Sequence, residues 1–532
     1  MRRALVAVVA LTLVAPAPAS AGRWAVGVAS LPGARTLVPG RAVLVTSPTR
    51  PQVPGAAFVE RLDGVRRLAF DNTEPLAAKQ WYIQEDKAWD FWPTPPKLFS
   101  VKVAVIDSGL DCDHPEFVTR IAASRSFVGG TPCRDTEGHG TFVSGLIAAN
   151  PANNEGIAGI GVNVELVVAK VVQPDGSVSL QGEVEAIRWA VDNGARVLNL
   201  SLGGVRDPFN QNVDTYSPLE QAAVDYAYSK GVVIVAAVGN GPQSPKTPWN
   251  YAHYPAALPH VIGVSALREN GSVPDYSNRD AVYNDVAAPG DAIFSTIPRN
   301  LVEDKPGCTN HPYSDCGPFE FRNAIGTSFA APQVSAAAAL VLGQNPNLRA
   351  EQVAWLLERT ADDATAANGC ETCPPGRDMF SGWGRLNVLS ALLQLTDGPP
   401  LPRPDSFEPN DDAGPWAKPF GPPRTITATL DYWDDQIDVY SITLRRGRRV
   451  FARLTPPART ATKLVLWRPK TQRVEGLRVP LSNRAAQSAR VGSQERLAYT
   501  ATVPGTYFLE VKLVAPTQDP VTYRLGVATR AG

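Results

Sequence analysis

The stretch Gly326–Pro332 reads Gly-Thr-Ser-Phe-Ala-Ala-Pro, and an alanine-rich apolar run continues to Leu342. The pattern predicts a turn followed by a buried helix. Ser328 then lies near a helix N-terminus, beside backbone N–H groups that stabilise negative charge. Pro332 follows four residues later, where the first turn of a helix tolerates a missing N–H. This geometry suits a nucleophilic serine. An ordinary N-cap serine is the alternative that the stretch alone leaves open.

Motifs upstream supply the groups that activate such a serine. Val103–Gly109 predicts a buried strand that ends at Asp107, and strand ends of this kind gather active sites. His139 lies between two glycines just before a helix-like run. The chain therefore offers an acid, a base and a nucleophile in that order. His114 is a competing base, and Asp107 could instead serve only in a turn.

The residues around these motifs alternate between apolar strands and helical patterns. Fully apolar strands between helices predict an α/β fold: a doubly wound, mostly parallel sheet with helices on both faces. Ser217-Pro218-Leu219-Glu220 has the form of a capping box, and residues 350–361 form an amphipathic helix pattern. The predicted strands are Val101–Ile106, Glu165–Val172, Ala195–Leu200, Gly231–Val238 and Val261–Ala266.

A different pattern begins after residue 396. Residues 397–404 are proline-rich and predict a stiff linker. Beyond them, short alternating segments separated by turns predict a C-terminal all-β sandwich. These segments are Thr425–Leu430, Ile437–Leu444, Arg449–Leu454, Leu464–Trp467, Leu497–Val503, Tyr507–Val514 and Thr522–Val527.

Composition places the chain among soluble globular proteins of two to four domains. It has 532 residues, of which 44% are hydrophobic and 19% charged. The 51 basic residues balance the 51 acidic ones, which argues against nucleic acid or an anionic membrane as a partner.

The first 21 residues have the form of a secretory signal peptide. Arg2 and Arg3 precede an eleven-residue apolar run, Ala4–Val14, and Ala19-Ser20-Ala21 resembles a cleavage site. Eleven residues are too few to span a bilayer as a helix. We expect an exported, extracellular protein without a membrane anchor. A retained N-terminal anchor is the alternative.

Six cysteines fit an oxidising compartment. They fall into three local pairs, although six cysteines allow fifteen connectivities. The Cys370-x-x-Cys373 pair could instead form half of a zinc site, but it lacks a matching second half. The expected disulfides are Cys112–Cys133, Cys308–Cys316 and Cys370–Cys373.

Taken together, these motifs resemble those of the subtilisin family (subtilases, peptidase family S8) of serine endopeptidases. The resemblance covers roughly residues 76–395 and implies a secreted protease made as a zymogen. The residues that carry it are Val105-Ile-Asp107-Ser-Gly109, Gly138-His139-Gly-Thr141, Asn199-Leu-Ser201-Leu-Gly203-Gly204, Gly239-Asn240 and Gly326–Pro332.

The resemblance implies a role for each polar residue of these motifs. Ser328 attacks the scissile carbonyl to give an acyl-enzyme, His139 takes the hydroxyl proton, and Asp107 orients the imidazole. Asn240 and the Ser328 backbone N–H hold the oxyanion. Asn240 in a Gly-Asn-Gly turn could instead serve only the turn. Phe329 departs from many relatives, which have an oxidation-prone methionine at this position.

Substrate contacts and a calcium site are also implied by the resemblance. Ser201, Leu202 and Gly203 would pair with substrate backbone, and a core strand end is the alternative for Leu202. Val238 and Gly239 would line the pocket for the residue before the cleaved bond, with His253 near its floor. No acidic residue there would select Arg or Lys. No cofactor is needed for the chemistry. A structural calcium ion would be bound by Gln80, Glu116 and Asn153, and a plain surface loop is the alternative.

The predicted organisation has five parts: a signal peptide (1–21), a propeptide (22–75), the catalytic domain (76–396), the linker (397–404) and a C-terminal domain (405–532). The last resembles a bacterial pre-peptidase C-terminal domain, through Glu408-Pro-Asn-Asp411, Asp435-Gln-Ile-Asp438-Val-Tyr440 and Pro504-Gly-Thr-Tyr507. The expected partners are protein or peptide substrates and the chain's own inhibitory propeptide, and we expect a monomer. A non-catalytic binding protein on the same scaffold, or a protease restricted to processing, are the competing functions.

Overall fold

The computed structural model describes residues 22–26, 28, 30–38, 42–47, 51–57, 59–61, 74–90, 98–301, 320–402, 405–491, 494–517 and 519–531. The expected signal peptide and the expected Cys308–Cys316 disulfide lie outside these residues. The described residues up to 61 belong to one compact unit and those from 74 onward to a second.

The first unit is a four-stranded antiparallel sheet with the strand order β2-β3-β1-β4. Val26 and Val43, which pair with each other on neighbouring strands, are both buried. The strands are β1 (Gly22–Val26), β2 (Arg35–Val38), β3 (Ala42–Ser47) and β4 (Val59–Arg61).

The second unit begins with α1 (Trp81–Glu85) and is built around a seven-stranded parallel sheet. The strand order is β11-β10-β9-β8-β5-β7-β6. The strands are β5 (Val101–Asp107), β6 (Ile121–Ser126), β7 (Val164–Lys170), β8 (Val197–Leu200), β9 (Val233–Ala237), β10 (Val261–Leu267) and β11 (Val286–Pro289). A separate antiparallel pair is formed by β12 (Ile293–Thr296) and β13 (Phe321–Ala324).

Helices cover both faces of the parallel sheet, which confirms the predicted α/β fold. The helices are α2 (His139–Ala148), α3 (Leu180–Asp192), α4 (Pro218–Ser229), α5 (Thr327–Gln344), α6 (Ala350–Arg359) and α7 (Val388–Asp397). The apolar faces of α3 and α4 share one core cluster with alternate strand residues. Helix α5 contacts five of the strands as well as α2, and it is buried along almost its whole length.

Sequence patterns located most of these elements to within a few residues. Helix α4 begins as predicted, with the Ser217 hydroxyl accepting from the N–H groups of Leu219 and Glu220. Pro332 differs from the expectation, because α5 begins at Thr327 and the proline lies beyond the first turn. Strand β6 escaped prediction because it is a half-exposed edge strand with a polar sequence.

The C-terminal residues form two antiparallel-rich sheets that pack around one apolar core, as predicted. The five-stranded sheet has the order β14-β16-β21-β18-β19, and the four-stranded sheet has the order β15-β22-β17-β20. The strands are β14 (Lys418–Pro419), β15 (Arg424–Leu430), β16 (Ile437–Leu444), β17 (Arg448–Thr455), β18 (Ala461–Trp467), β19 (Arg484–Val491), β20 (Glu495–Thr500), β21 (Gly505–Leu513) and β22 (Val521–Ala531).

Two of the three expected disulfides fall within the described residues, and both are formed: Cys112–Cys133 and Cys370–Cys373. The second bond overturns the zinc alternative for the Cys370-x-x-Cys373 pair, because both sulfurs are bonded to each other. Among the described residues, no helix combines the length and apolar character needed to cross a membrane.

Candidate active site

The carboxyl edge of the parallel sheet brings the polar motifs together. Asp107 is the last residue of β5, Ser201 directly follows β8, and Asn240 lies just after β9. These three strands are neighbours in the order β9-β8-β5. Parallel strands end at the same edge of a sheet, so residues far apart in sequence meet there.

His139 opens α2 and lies against Asp107. Its Nδ1 is 2.8 Å from Asp107 Oδ1 and 3.0 Å from Oδ2. The contact depends on a close approach of α2 to the end of β5. A Cβ atom on Gly140 would come within 2.2 Å of the Gly109 carbonyl oxygen, so only glycine fits there. Any side chain at position 140 would push α2 away from the end of β5.

The charge of Asp107 changes the basicity of His139. Burial disfavours the charged imidazolium, but the adjacent Asp107 carboxylate more than offsets burial, and the pKa of His139 is raised above its usual value. Asp107 itself is only 2% exposed and also accepts a hydrogen bond from Ser108 N. The carboxylate is thereby fixed in one orientation toward the imidazole.

Asp135 holds the start of α2, a role that the sequence analysis missed. Its carboxylate accepts hydrogen bonds from the N–H groups of Gly138 and Thr141 and from the Thr141 hydroxyl. Ser108 donates its hydroxyl to Asp135 and accepts from Gly140 N. A carboxylate at a helix N-terminus is favourable. Its position four residues before His139 was the available signal.

Ser328 is the second residue of α5 and lines a groove of about 320 Å³ together with His139 and Asn240. Pro332 cannot donate the helical hydrogen bond to the Ser328 carbonyl. The Ser201 hydroxyl donates to that carbonyl instead, at 2.7 Å. Because the proline leaves the Ser328 carbonyl without its helical donor, Ser201 at the end of β8 can bind the residue that carries the candidate nucleophile.

Asn240 is oriented by the residue before the serine. Its Oδ1 accepts from Thr327 N at 3.0 Å and from the Thr327 hydroxyl at 3.2 Å. With its oxygen held in this way, the amide presents its NH₂ group as the donor, which is what a developing oxyanion requires.

The groove walls include most of the predicted substrate-contacting residues. Ser201, Leu202, Gly203 and Gly239 line it, whereas Val238 is fully buried in the core and Ala237 contributes instead. The other described lining residues are Pro242, Gln243, His253, Tyr276, Ile325, Gly326, Thr327 and Phe329.

His253 contributes a polar but uncharged side chain to the groove lining. Its Nε2 is 2.8 Å from the Ser244 hydroxyl, and burial lowers its pKa to about 4. The ring is therefore neutral at neutral pH. Ser244 carried no signal in the sequence. No Asp or Glu occurs among the described residues that line the groove.

His114, the competing base, is buried and is absent from the described residues that line the groove. It is fully buried, packs against the rings of Phe117 and Phe321, and its Nδ1 accepts from Glu116 N. Burial lowers its pKa to about 4. Phe329, in contrast, lines the groove and packs against His139 and Phe142, with ring centroids 5.5 and 4.5 Å away.

The oxygens expected to bind calcium accept hydrogen bonds from the chain's own N–H groups. Glu116 accepts from Ile157 N at 2.8 Å and from Asn153 Nδ2 at 3.3 Å. Gln80 Oε1 accepts from Ala158 N at 2.9 Å. Burial raises the pKa of Glu116 to about 7. Calcium needs oxygens that face the ion, and at Glu116 and Gln80 these N–H donors compete with an ion for the same oxygens.

A second set of oxygens, in the C-terminal domain, fits a cation better. Its carboxylate oxygens lie within 4.8 Å of one another in two overlapping triplets: Asp405, Glu408 and Asp438, and Glu408, Asp411 and Asp435. Within the described residues, one buried oxygen of each of Glu408, Asp411 and Asp435 accepts no hydrogen bond. His260 Nε2 is 3.9 Å from the Asp411 oxygen.

Asn410 adds another buried oxygen to this cluster. It is fully buried and donates its amide NH₂ to Asp438 at 2.5 Å, while its Oδ1 has no hydrogen-bond partner among the described residues. Burial and the nearby charge of Asp405 raise the pKa of Glu408 to about 7. Oxygen-rich, electron-rich sites of this kind suit Ca²⁺.

The sequence of this chain is similar to those of known proteins. Residues 100–384 match the sequence model of the Subtilase family. The chain is 34% identical over 293 residues to Subtilisin DY of Bacillus licheniformis, covering 55% of this chain and 90% of that one. It is 32% identical over 313 residues to Thermitase of Thermoactinomyces vulgaris, covering 58% and 93%. Subtilisin E of Bacillus subtilis is 35% identical over 292 residues, covering 55% and 65%.

Proposed function

Since the chain belongs to the subtilase family and is a serine endopeptidase, we propose that Ser328 is its nucleophile, His139 its general base and Asp107 the residue that orients His139. The observation that carries this assignment is the 2.8 Å contact between His139 and Asp107 beside the groove that Ser328 lines. The same groove contains Asn240, the proposed oxyanion donor.

The proposed reaction is peptide-bond hydrolysis in two halves. His139 Nε2 takes the Ser328 hydroxyl proton as the oxygen attacks the scissile carbonyl, and then gives that proton to the leaving amine. Water then attacks the acyl-enzyme. His139 takes a proton from the water and returns it to the Ser328 oxygen as the acyl bond breaks. Asp107 keeps Nδ1 protonated and stabilises the transient imidazolium.

The oxyanion forms where two donors converge. The Ser328 backbone N–H lies in the first turn of α5, where N–H groups lack the usual partner four residues earlier in the helix, and the Asn240 amide is held by Thr327. Loss of one such donor costs roughly 2.7–4 kcal/mol in subtilisin-type enzymes. Both donors are fixed before substrate binds, so little reorganisation is needed during the reaction.

Substrate recognition in this proposal combines backbone pairing with a neutral pocket. Ser201–Gly203 would add the substrate as an extended strand. A lining that includes neutral His253, and no acidic residue among its described members, offers no partner to an Arg or Lys side chain. We therefore propose a protease without preference for basic residues before the cleaved bond.

The proposed life history is that of an exported preproprotein. Residues 1–21 direct export, residues 22–75 form an inhibitory propeptide, and residues 405–532 form the pre-peptidase C-terminal-like domain. The separate compact unit formed by the described residues up to 61 supports the propeptide assignment. A relative named a cell wall-associated protease, from Bacillus subtilis, is in keeping with export from a bacterium.

We further propose that one structural calcium ion is held by Glu408, Asp411 and Asp435 rather than by the residues around Glu116. The ion would neutralise mutual repulsion among buried carboxylates and would take no part in the chemistry. The unpartnered carboxylate oxygens support this choice.

The nucleophile assignment predicts the behaviour of Ser328→Ala. Casein hydrolysis should fall on the order of 10⁶-fold, since the residues of a catalytic triad act as a unit. Mass spectrometry should also show an unprocessed N-terminus. Ser229→Ala, at the exposed end of α4, is the matched control and should match wild type. Casein hydrolysis by Ser328→Ala at the wild-type rate would discard the assignment and favour another nucleophile.

The identity of Phe329 predicts slow inactivation by peroxide. The chain has two methionines, Met1 and Met379, and Met379 is absent from the described groove lining. Phe329→Met places an oxidisable thioether beside His139, and its sulfoxide would disturb the groove. We expect residual activity in dilute peroxide to decay much faster for the variant. Equally rapid decay of the wild type would show that another group is the sensitive one.

The calcium assignment predicts a shift in melting temperature. Wild type should melt several degrees higher in millimolar Ca²⁺ than in chelator, since a ligand at about 100 times its Kd adds roughly 2.7 kcal/mol. Asp435→Asn should lose this response, yet should not melt below wild type in chelator, because it relieves charge repulsion. Glu116→Gln, the control, should keep the response. If only Glu116→Gln loses the calcium-dependent rise in melting temperature, the ion is bound at Glu116 and not at Asp435.

A further inference from the structure

One segment of the C-terminal domain, Arg473–Arg478, packs directly on the catalytic domain. It lies between β18 and β19. Leu477 packs against the core cluster beneath α3 and α4, and a Cβ atom on Gly476 would be 3.1 Å from the Gln221 side chain on α4. This segment is therefore part of the catalytic domain's surface layer.

Ion pairs fix the same segment in place. Arg473 contacts Asp225 of α4 at 2.5 Å, with both side chains largely buried, and donates to the Tyr216 hydroxyl at 3.3 Å. Glu475 pairs with His260 at 3.2 Å. Largely buried pairs are screened little by solvent, and removing one partner leaves an uncompensated charge.

A second region strengthens the attachment of the C-terminal domain. Arg359 of α6 lies 3.3 Å from Asp434 and 3.5 Å from Asp431. The rings of Trp383 and Trp433 meet edge to face, with centroids 6.0 Å apart. Contacts at two separate places resist rotation of one domain against the other.

Arg478 continues this interface toward the groove. Its guanidinium pairs with Asp214, whose side chain is only 2% exposed. Asp214 Oδ1 also accepts from Asp207 N at 3.0 Å and from the Tyr254 hydroxyl at 3.2 Å. The buried carboxylate thus joins Arg478 to Tyr254.

Tyr254 pairs through its backbone with Gly204, the residue after the proposed substrate-pairing segment Ser201–Gly203. Tyr254 N donates to Gly204 O, and Gly204 N donates to Tyr254 O, each at 2.9 Å. A Cβ atom on Gly203 would be 2.4 Å from the Tyr254 carbonyl oxygen, so the two segments are in close contact. Gly203 and His253, the neighbours of this bridge, both line the groove.

We propose that Arg478 is a positioning residue for the protease: through Asp214 and Tyr254 it holds the groove wall, so the C-terminal domain takes part in binding extended substrates. The proposal rests on the proposed function of the groove. It implies that the active enzyme keeps the domain rather than shedding it. Arg478 touches no reacting atom, so its effect falls on substrate binding.

The test compares full-length variants on a chromogenic tetrapeptide and on a single-residue ester. For Arg478→Ala we expect the KM of the tetrapeptide to rise about five- to tenfold. Its kcat should stay within about twofold, and the ester, which reaches little of the wall, should show a smaller KM change. Arg478→Lys keeps the charge and should recover part of the affinity. Arg496→Ala, exposed on β20, is the matched control and should match wild type.

A double variant tests the route through Asp214. Arg478→Ala combined with Tyr254→Phe should raise KM less than the product of the two single effects, because both side chains act on one carboxylate. Full multiplicativity, or a wild-type KM in Arg478→Ala, would overturn the proposal. Equal losses of kcat for tetrapeptide and ester, with a lowered melting temperature, would overturn it in favour of a purely structural role.

Labelling with a small serine-directed phosphonylating reagent separates this proposal from the proposed function. Labelling of Ser328 in wild type and in Arg478→Ala at similar rates, together with the KM change, supports both. If Ser328 is not labelled in wild type, the proposed function fails irrespective of the Arg478 result. If labelling is normal but KM is unchanged, only the Arg478 proposal fails.

Discussion

The close approach of α2 to the end of β5 is the constraint on which the site depends. Because Gly140 has no side chain, the helix can lie against the Gly109 carbonyl. This close approach places His139 in contact with Asp107. Asp135 holds the same helix start by accepting from its N–H groups. Since β5 lies beside β8 in the sheet, the fixed pair faces the edge where Ser201 joins the start of α5. The groove therefore depends on the order of the strands in the sheet and on the absence of a side chain at Gly140.

Sequence alone predicted the parts of the protein whose signals are local. Apolar runs located β5 and β7 to β10 because buried parallel strands have no polar face. The motifs around Asp107, His139 and Ser328 lie at strand ends or helix starts, where sequence marks the boundary. Polar edge strands such as β6 and β19 gave no such signal, since half-exposed strands need few apolar residues.

Sequence could not predict contacts that join distant segments. The sequence could not show that N–H groups of Asn153 and Ile157 donate to the Glu116 oxygens that were expected to bind calcium. The link from Arg478 to Asp214 spans 264 residues and carries no motif. The orientation of Asn240 by Thr327 likewise depends on packing between β9 and α5. Such contacts follow from the tertiary structure, and here they join the C-terminal domain to Tyr254, beside the groove.

The pH dependence of kcat/KM for wild type and Asp107→Asn tests the role of the contact between His139 and Asp107. A general base works only when neutral, so wild-type activity should fall as pH drops through a pKa above about 6.5, the usual value for histidine. Removing the carboxylate removes the main cause that raises this pKa, so the midpoint should move to lower pH. The rate at neutral pH should fall by about 10⁴-fold. An Asp107→Asn enzyme with the wild-type rate and midpoint would contradict the central role of this contact.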